Sequence, residues 1–139
     1  MIVLDTNVIS ELMKRSPDPT VVKWLDEQPT ESIWTTSITL FEVRWGLDLI
    51  APGRRRRELE VAFEQLIEED LQGRVQVFDA PAANAAGSIA AKSQRSGRGI
   101  EVRDLQISGI VAARRAKLAT RNFRHFDGVG IDLVNPWNV

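Results

Sequence analysis

The chain opens on an apolar run, Ile2-Val3-Leu4, that stops at Asp5-Thr6-Asn7. A short apolar run bounded by small polar residues reads as a buried parallel strand handing over to a functional loop or a helix. Similar short segments recur at Ser32-Ile33-Trp34-Thr35-Thr36, Arg74-Val75-Gln76-Val77-Phe78, Lys117-Leu118-Ala119-Thr120 and Ile131-Asp132-Leu133-Val134. Between them the pattern predicts helices over 6–13, about 20–27, 37 to about 49, about 55–70, from after Pro81, Ala-rich through Lys92, to near Gly97-Arg98-Gly99, and 103–116. Pro17, Pro19, Pro29, Pro52-Gly53 and Gly73 mark the breaks. Strands alternating with helices predict an α/β fold, its parallel sheet covered on both faces and joined by right-handed crossovers. No repeat, linker or low-complexity tract interrupts the pattern. With 139 residues, 43% of them hydrophobic, one domain over 1–139 is expected.

Composition narrows the chemistry. The absence of cysteine removes disulfides, thiolate nucleophiles and cysteine-based zinc sites, and the single histidine, His125, cannot build a His-rich metal cluster. Any metal must therefore be held by oxygen. A formal net charge of -1 makes no global case for nucleic acid, so attraction to phosphate has to come from local patches. No apolar stretch approaches the ~20 residues that span a bilayer, and no basic region with an apolar signal core opens the chain. A soluble, cytoplasmic protein with no membrane partner is expected.

Three acids stand in apolar settings. Asp5 ends the first strand, where ligands of open α/β sheets bind, although an Asp there also makes a good helix N-cap. Glu42 shares a helical face with Ile38, Trp45 and Leu49. A carboxylate on such a face needs either an arginine partner or a cation. Asp104 shares a face with Ile107 and Val111, although an acid in a first helical turn is also favoured by the macrodipole. If the first strand is central, the three acids converge on one edge of the sheet. Mutually repelling carboxylates of this kind suit Mg²⁺ or Mn²⁺ with retained water, and such a site can perform phosphodiester hydrolysis.

Val3-Leu4-Asp5-Thr6-Asn7, the Glu42 helix with Trp45-Gly46, Asp104-Leu105-Gln106-Ile107, and Leu118-Ala119-Thr120-Arg121-Asn122-Phe123 followed by Asn135-Pro136-Trp137 together resemble a PIN-domain ribonuclease of the VapC/FitB-like toxin type. The resemblance covers nearly the whole chain. It implies a three-layer α/β/α sandwich with a five-stranded parallel sheet of order 3-2-1-4-5, and a Mg²⁺- or Mn²⁺-dependent endoribonuclease. It also implies a homodimer and a cognate antitoxin protein as partner, with RNA as substrate. Carried over by position, Asp5, Glu42 and Asp104 are the catalytic and metal-binding acids, and Thr6, Asn7 and Thr120 are their hydrogen-bonding neighbours. Many members carry a fourth acid shortly after the Thr-Arg-Asn turn and before a Phe, where this chain has His125. Asn122, His125 or Asp127 are the residues available to stand in, and His125 also reads as a plain surface histidine.

The row Arg54-Arg55-Arg56-Arg57 is either a solvated face, paired at i,i+4 with Glu58 and Glu60, or a phosphate-tracking patch. Arg98, Arg103 and Arg121 are the candidate RNA phosphate contacts, with Arg95 a further basic residue at the glycine loop. Trp24, Trp34 and Trp45 are expected in the core. Ile9, Leu12, Met13, Val21, Val22 and Leu25 exceed what one small sheet face needs, so part of that surface is available to a partner helix. Two rivals remain. A phosphatase with an aspartyl nucleophile wants a second acid two residues on, where this chain has Asn7. A regulator of the same fold that binds RNA or a protein without cutting is the alternative function.

Overall fold

The structure, a computed structural model, describes residues 1–139. Five parallel strands, β1 (Ile2–Leu4), β2 (Ile33–Thr36), β3 (Val75–Gln76), β4 (Lys117–Ala119) and β5 (Asp132–Val134), form one sheet of order β3-β2-β1-β4-β5. Val3 pairs with Trp34 on one side and Leu118 on the other, so β1 is central. The strand order reverses between β1 and β4, and the carboxyl ends of those two strands carry Asp5 and Thr120. That is where an open α/β sheet opens a crevice for a ligand.

Seven helices cover the sheet: α1 (Thr6–Leu12), α2 (Pro19–Asp26), α3 (Ser37–Leu49), α4 (Arg54–Gln65), α5 (Ala80–Arg95), α6 (Val102–Ala113) and α7 (Phe123–Phe126). Neighbouring residues on a strand face opposite ways, and β1 shows the consequence. Leu4 joins a core with Val8, Ile9, Val21, Val43 and Leu47 from α1, α2 and α3. Val3 joins a second core with Ile107, Val111, Leu118 and Phe126, under α6 and α7. The result is the three-layer α/β/α sandwich expected. α5 lies against α6 so closely that a Cβ on Gly109 would collide with the Ala82 carbonyl and with Ala86.

Local differences have local causes. The third strand is shorter than 74–78 because the backbone leaves the ladder after Gln76: the Phe78 N–H goes to Ser37 Oγ and the Asp79 N–H to the Val77 carbonyl. The helix expected to reach residue 70 stops as an α-helix at Gln65 and ends in one π turn, Leu66–Asp70. A 3₁₀ turn at Thr30–Ser32 and the single turn of α7 are too short to show a hydrophobic period. Pro19 occupies the first turn of α2 rather than stopping a helix, and Asp18 caps it.

Trp45 is a correction. Trp24 is buried as expected and Trp34 only half-buried, but Trp45 is 50% exposed and Leu49 76% exposed. The α3 stripe that faces the core is Thr39, Val43 and Leu47. α3 carries apolar residues around most of its circumference, so spacing alone defines two stripes, and the one with the polar Thr39 is buried. Thr39 is accommodated because its N–H donates to Thr36 Oγ1 and its hydroxyl lies 3.1 Å from that of Thr6.

Candidate active site

Asp5 is both an N-cap and the centre of a buried hydrogen-bond network. It is 5% exposed. Its Oδ1 accepts from the Thr6 N–H at 2.8 Å, which ties it to the start of α1. Its Oδ2 accepts from Thr120 Oγ1 at 2.7 Å and from Asn7 Nδ2 at 3.1 Å. Thr120 Oγ1 in turn accepts from the Asn122 N–H, and Asn7 Oδ1 from the Arg121 N–H, so the β4 loop is laced to the β1 loop. Burial raises the Asp5 carboxyl above its ordinary value despite the hydrogen bonds from Thr120, Thr6 and Asn7 that favour the ionised form.

Glu42 reaches the same edge from α3. Its Oε1 accepts from Thr6 Oγ1 at 2.8 Å, and its Oε2 lies 3.5 Å from Arg103 Nη1. Arg103 is also bound by Glu101 at 2.9 Å and lies over the Trp45 ring, 5.0 Å from its centroid. Asp104 enters from the first turn of α6, which Glu101 caps. Burial, then the nearby charge of Asp5, pushes the Asp104 carboxyl up to about 6. Its Oδ2 lies 3.2 Å from Nδ1 of His125, which α7 places on the rim. A hollow of about 210 Å³ opens beside this pair, walled by residues 98–101 and by Arg124.

A profile of the PIN domain matches residues 2–131. The chain belongs to the PIN-domain family. It is 39% identical over 137 residues to "VapC ribonuclease Y4jK" of Sinorhizobium fredii, covering 99% of this chain and 98% of that protein. It is 33% identical over 138 residues to "Toxin FitB" of Neisseria gonorrhoeae, with 99% of each chain covered. A solved structure of FitAB bound to an IR36 DNA fragment superposes with a TM-score of 0.89 at 33% identity, covering 100% of this chain and 97% of that one. Within the PIN-domain family the chain therefore groups with the VapC and FitB toxins.

This PIN domain does not gather its acids onto one point. No three Asp, Glu or His side chains stand close enough to enclose an ion between them. Glu42 joins the site through Thr6 and is engaged by Arg103, which leaves Asp5 and Asp104 as the two carboxylates near enough for the charge of Asp5 to raise Asp104. Two hard oxygen donors, with Asp104 opening onto the hollow of about 210 Å³, match the way Mg²⁺ is held, through one or two carboxylates and several retained waters. The residues present thus fit a largely hydrated divalent ion.

The remaining candidates are placed unequally. Arg103 is at the site. Arg98 donates to the carbonyls of Asp127 and Arg124, bracing the α7 loop rather than presenting a free cation. Arg121 lies over the Trp137 ring, 4.9 Å from its centroid. Asn122 caps α7 through its backbone and makes no side-chain cap bond. Asp127 is exposed beyond α7. Arg54 pairs with Glu58, and Arg56 with Asp48 and Glu60, so two members of the arginine row belong to a solvated ion-pair face. Glu101 went unread in the sequence, although an acid three residues before Asp104 is a helix-start signal. Ile9, Met13 and Val21 are buried, while Leu12, Val22 and Leu25 line a cleft of about 550 Å³ that shares no residue with the acidic site.

Proposed function

We propose that this chain is the toxin of a toxin–antitoxin pair, a Mg²⁺- or Mn²⁺-dependent endoribonuclease that hydrolyses RNA phosphodiester bonds at the Asp5–Asp104 edge. In this reading it works in the cytoplasm as one domain over residues 1–139, forms a homodimer and is neutralised by a small antitoxin protein. The observation that carries it is the pair of carboxylates Asp5 and Asp104, both raised by burial, with the charge of Asp5 raising Asp104 further. A bound dication removes that repulsion. The names of its relatives, a VapC ribonuclease and a FitB toxin, support the same reading.

Asp5 and Asp104 would hold the ion, with Glu42 at its border. When bound, the ion activates water and neutralises charge on the phosphoryl group. The chain supplies the rest. Thr120, Asn7 and the Thr6 N–H fix both oxygens of Asp5, so its carboxylate does not need to reorganise during reaction. Thr6 Oγ1 holds Glu42, and Glu42 and Glu101 keep the Arg103 guanidinium beside the site, where it can bind a phosphate of the RNA. Arg98 and Arg121 act more remotely, through the loops they brace. Exposed Phe41, Trp45 and Leu49, and the cleft beside Leu12, Val22 and Leu25, provide apolar surface for protein partners.

The test is cleavage of a mixed-structure RNA panel by partner-free protein in Mg²⁺, in Mn²⁺ and in chelator. Metal-dependent cuts that disappear in Asp5→Asn and Asp104→Asn are expected. Full activity in both variants would sink the site. No cutting by folded wild-type protein, with RNA still bound, would favour the non-cutting regulator, which His125 at the fourth acidic position keeps in view.

A further inference from the structure

Two large aromatic side chains of α3 take part in neither core. Phe41 and Trp45 follow one another by one helical turn on the outward side of the helix, 56% and 50% exposed. Their ring centroids are 5.7 Å apart and their planes are inclined at 56°, so the rings do not stack on each other. Together with Arg44 and Asp48 they wall an open hollow of about 410 Å³. The charged walls are only partly neutralised: Arg44 and Asp48 pair with one another at 3.6 Å, and with Glu60 and Arg56, yet remain 51% and 53% exposed. Trp45 also adjoins the acidic edge. Arg103 lies over its ring, 5.0 Å from the centroid, and the same guanidinium is 3.5 Å from Glu42, which Thr6 ties to the loop that carries Asp5. Arg103 is not a wall of the hollow, which stays open beside the cation.

We propose that Trp45 and Phe41 form a stacking site for one unpaired base of the RNA, beside the phosphate that Arg103 binds. The proposal rests on the RNA-cleaving reading above and narrows the substrate to RNA with unpaired nucleotides near the cut. Every base has a π-face, and stacking on aromatic side chains is how single-stranded RNA is commonly held. A base fits this hollow better than an apolar side chain of a protein partner does. Its edge carries donors and acceptors for Asp48 and Arg44, whereas an apolar group would strip water from both charges and give no bond in return. The cations beside the rings suit the flanking phosphates. A base inside a duplex keeps its faces in the stack and cannot enter. Leu49, further along α3 and 76% exposed, lies outside the hollow and stays available to protein partners.

The experiment is RNA binding by the partner-free chain in chelator, where metal-dependent cutting is blocked. Three end-labelled probes of equal length are compared: a single-stranded RNA of mixed sequence, the same sugar–phosphate chain without its bases, and a blunt RNA duplex. Anisotropy at several salt concentrations gives affinities, and tryptophan fluorescence reports stacking. Wild type should bind the base-bearing single strand most tightly, with quenching. Trp45→Leu should bind that strand at least about fivefold more weakly and lose part of the quenching, while binding the base-free chain as wild type does. Its salt slope should stay unchanged, because stacking releases no counterions. Trp45→Phe keeps a ring and should retain most of the affinity. Circular dichroism checks the fold of each variant, and light scattering its mass. Equal weakening toward base-bearing and base-free chains in Trp45→Leu would mean that the ring serves only to hold Arg103, and would overturn the proposal. Unchanged binding would overturn it too, and an accompanying fall in mass would give this face to a second copy of the chain. Both results leave the nuclease reading standing. Failure of folded wild type to bind any of the three probes would overturn both.

Discussion

Arg103 Nη1 lies 3.5 Å from Glu42 Oε2 while the same guanidinium covers the ring of Trp45 one turn further along α3. One side chain thereby pins the first turn of α6, which carries Asp104, to the helix that carries Glu42. On the proposed function it also presents a cation to an RNA phosphate.

Arg103→Ala should weaken RNA binding by the catalytically silent Asp5→Asn background and reduce the slope of log affinity against log salt by about one, as expected for the loss of a single phosphate contact. Arg103→Lys should retain the salt slope and lose part of the affinity, because a lysine cannot stack its head on Trp45 as a planar guanidinium does. Binding titrations at several salt concentrations measure both. An unchanged slope in Arg103→Ala would assign the residue to holding α3 and α6 together.

Thr120→Val keeps the volume of the side chain and removes its hydroxyl. That hydroxyl donates to Asp5 and accepts from Asn7 and from the Asn122 N–H. Asp5 and Asn7 keep their bond to one another, but losing the buried Thr120–Asp5 hydrogen bond and the partner of the Asn122 N–H should cost about 1–3 kcal/mol in urea unfolding. Cleavage should fall with it, because Asp5 loses a bond that favours its ionised form.

Much of this was legible beforehand, for reasons visible in particular residues. Parallel strands buried on both faces write themselves as apolar runs, so β1 and β4 stood out, and the alternation with helices gave the layers. Asp5 and Asp104 could be found because an acid at a strand end or a helix start stands out against its apolar neighbours. Trp45 misled because α3 has two apolar stripes, and choosing between them requires the tertiary contacts of Thr39. The partners of Arg98 and Arg121 were also illegible. A hydrogen bond to the carbonyls of residues 124 and 127, or a stacking on Trp137, spans chain separations that local spacing does not report.

Gly109 is the tightest point between α5 and α6. Gly109→Ala inserts a methyl group against the Ala82 carbonyl and Ala86, and neither neighbour is a flexible side chain that can swing away. Overpacking of this kind costs about 1–3 kcal/mol, and Gly109→Ala should show a net loss of stability in urea unfolding. The gain in helix propensity, about 1 kcal/mol, offsets only part of it. Equal or greater stability would mean that α5 is free to shift.

Asp104 sets a pH dependence whose sign can be worked out. Its carboxyl stands at about 6 in the folded protein against an ordinary value of 3.8. Between those values the folded chain binds more protons than the unfolded one, so metal-free stability from this group is fully present below about pH 4 and is lost as pH rises through about 6. Asp104→Asn carries no charge at any pH. The difference in melting temperature, Asp104→Asn minus wild type, should therefore grow between pH 4 and 6 and level off above about 7. Other carboxylates, such as Glu11 and Asp79, shift the opposite way but are common to both proteins and cancel in the difference. Adding Mn²⁺ to wild type should reverse the trend above pH 6, because an ion that binds only the folded state stabilises it and needs both carboxylates ionised. A difference that is flat across pH 4–7 in chelator would mean that Asp104 is ionised in the folded protein without penalty, and the repulsion between Asp5 and Asp104 would no longer support a metal at this edge.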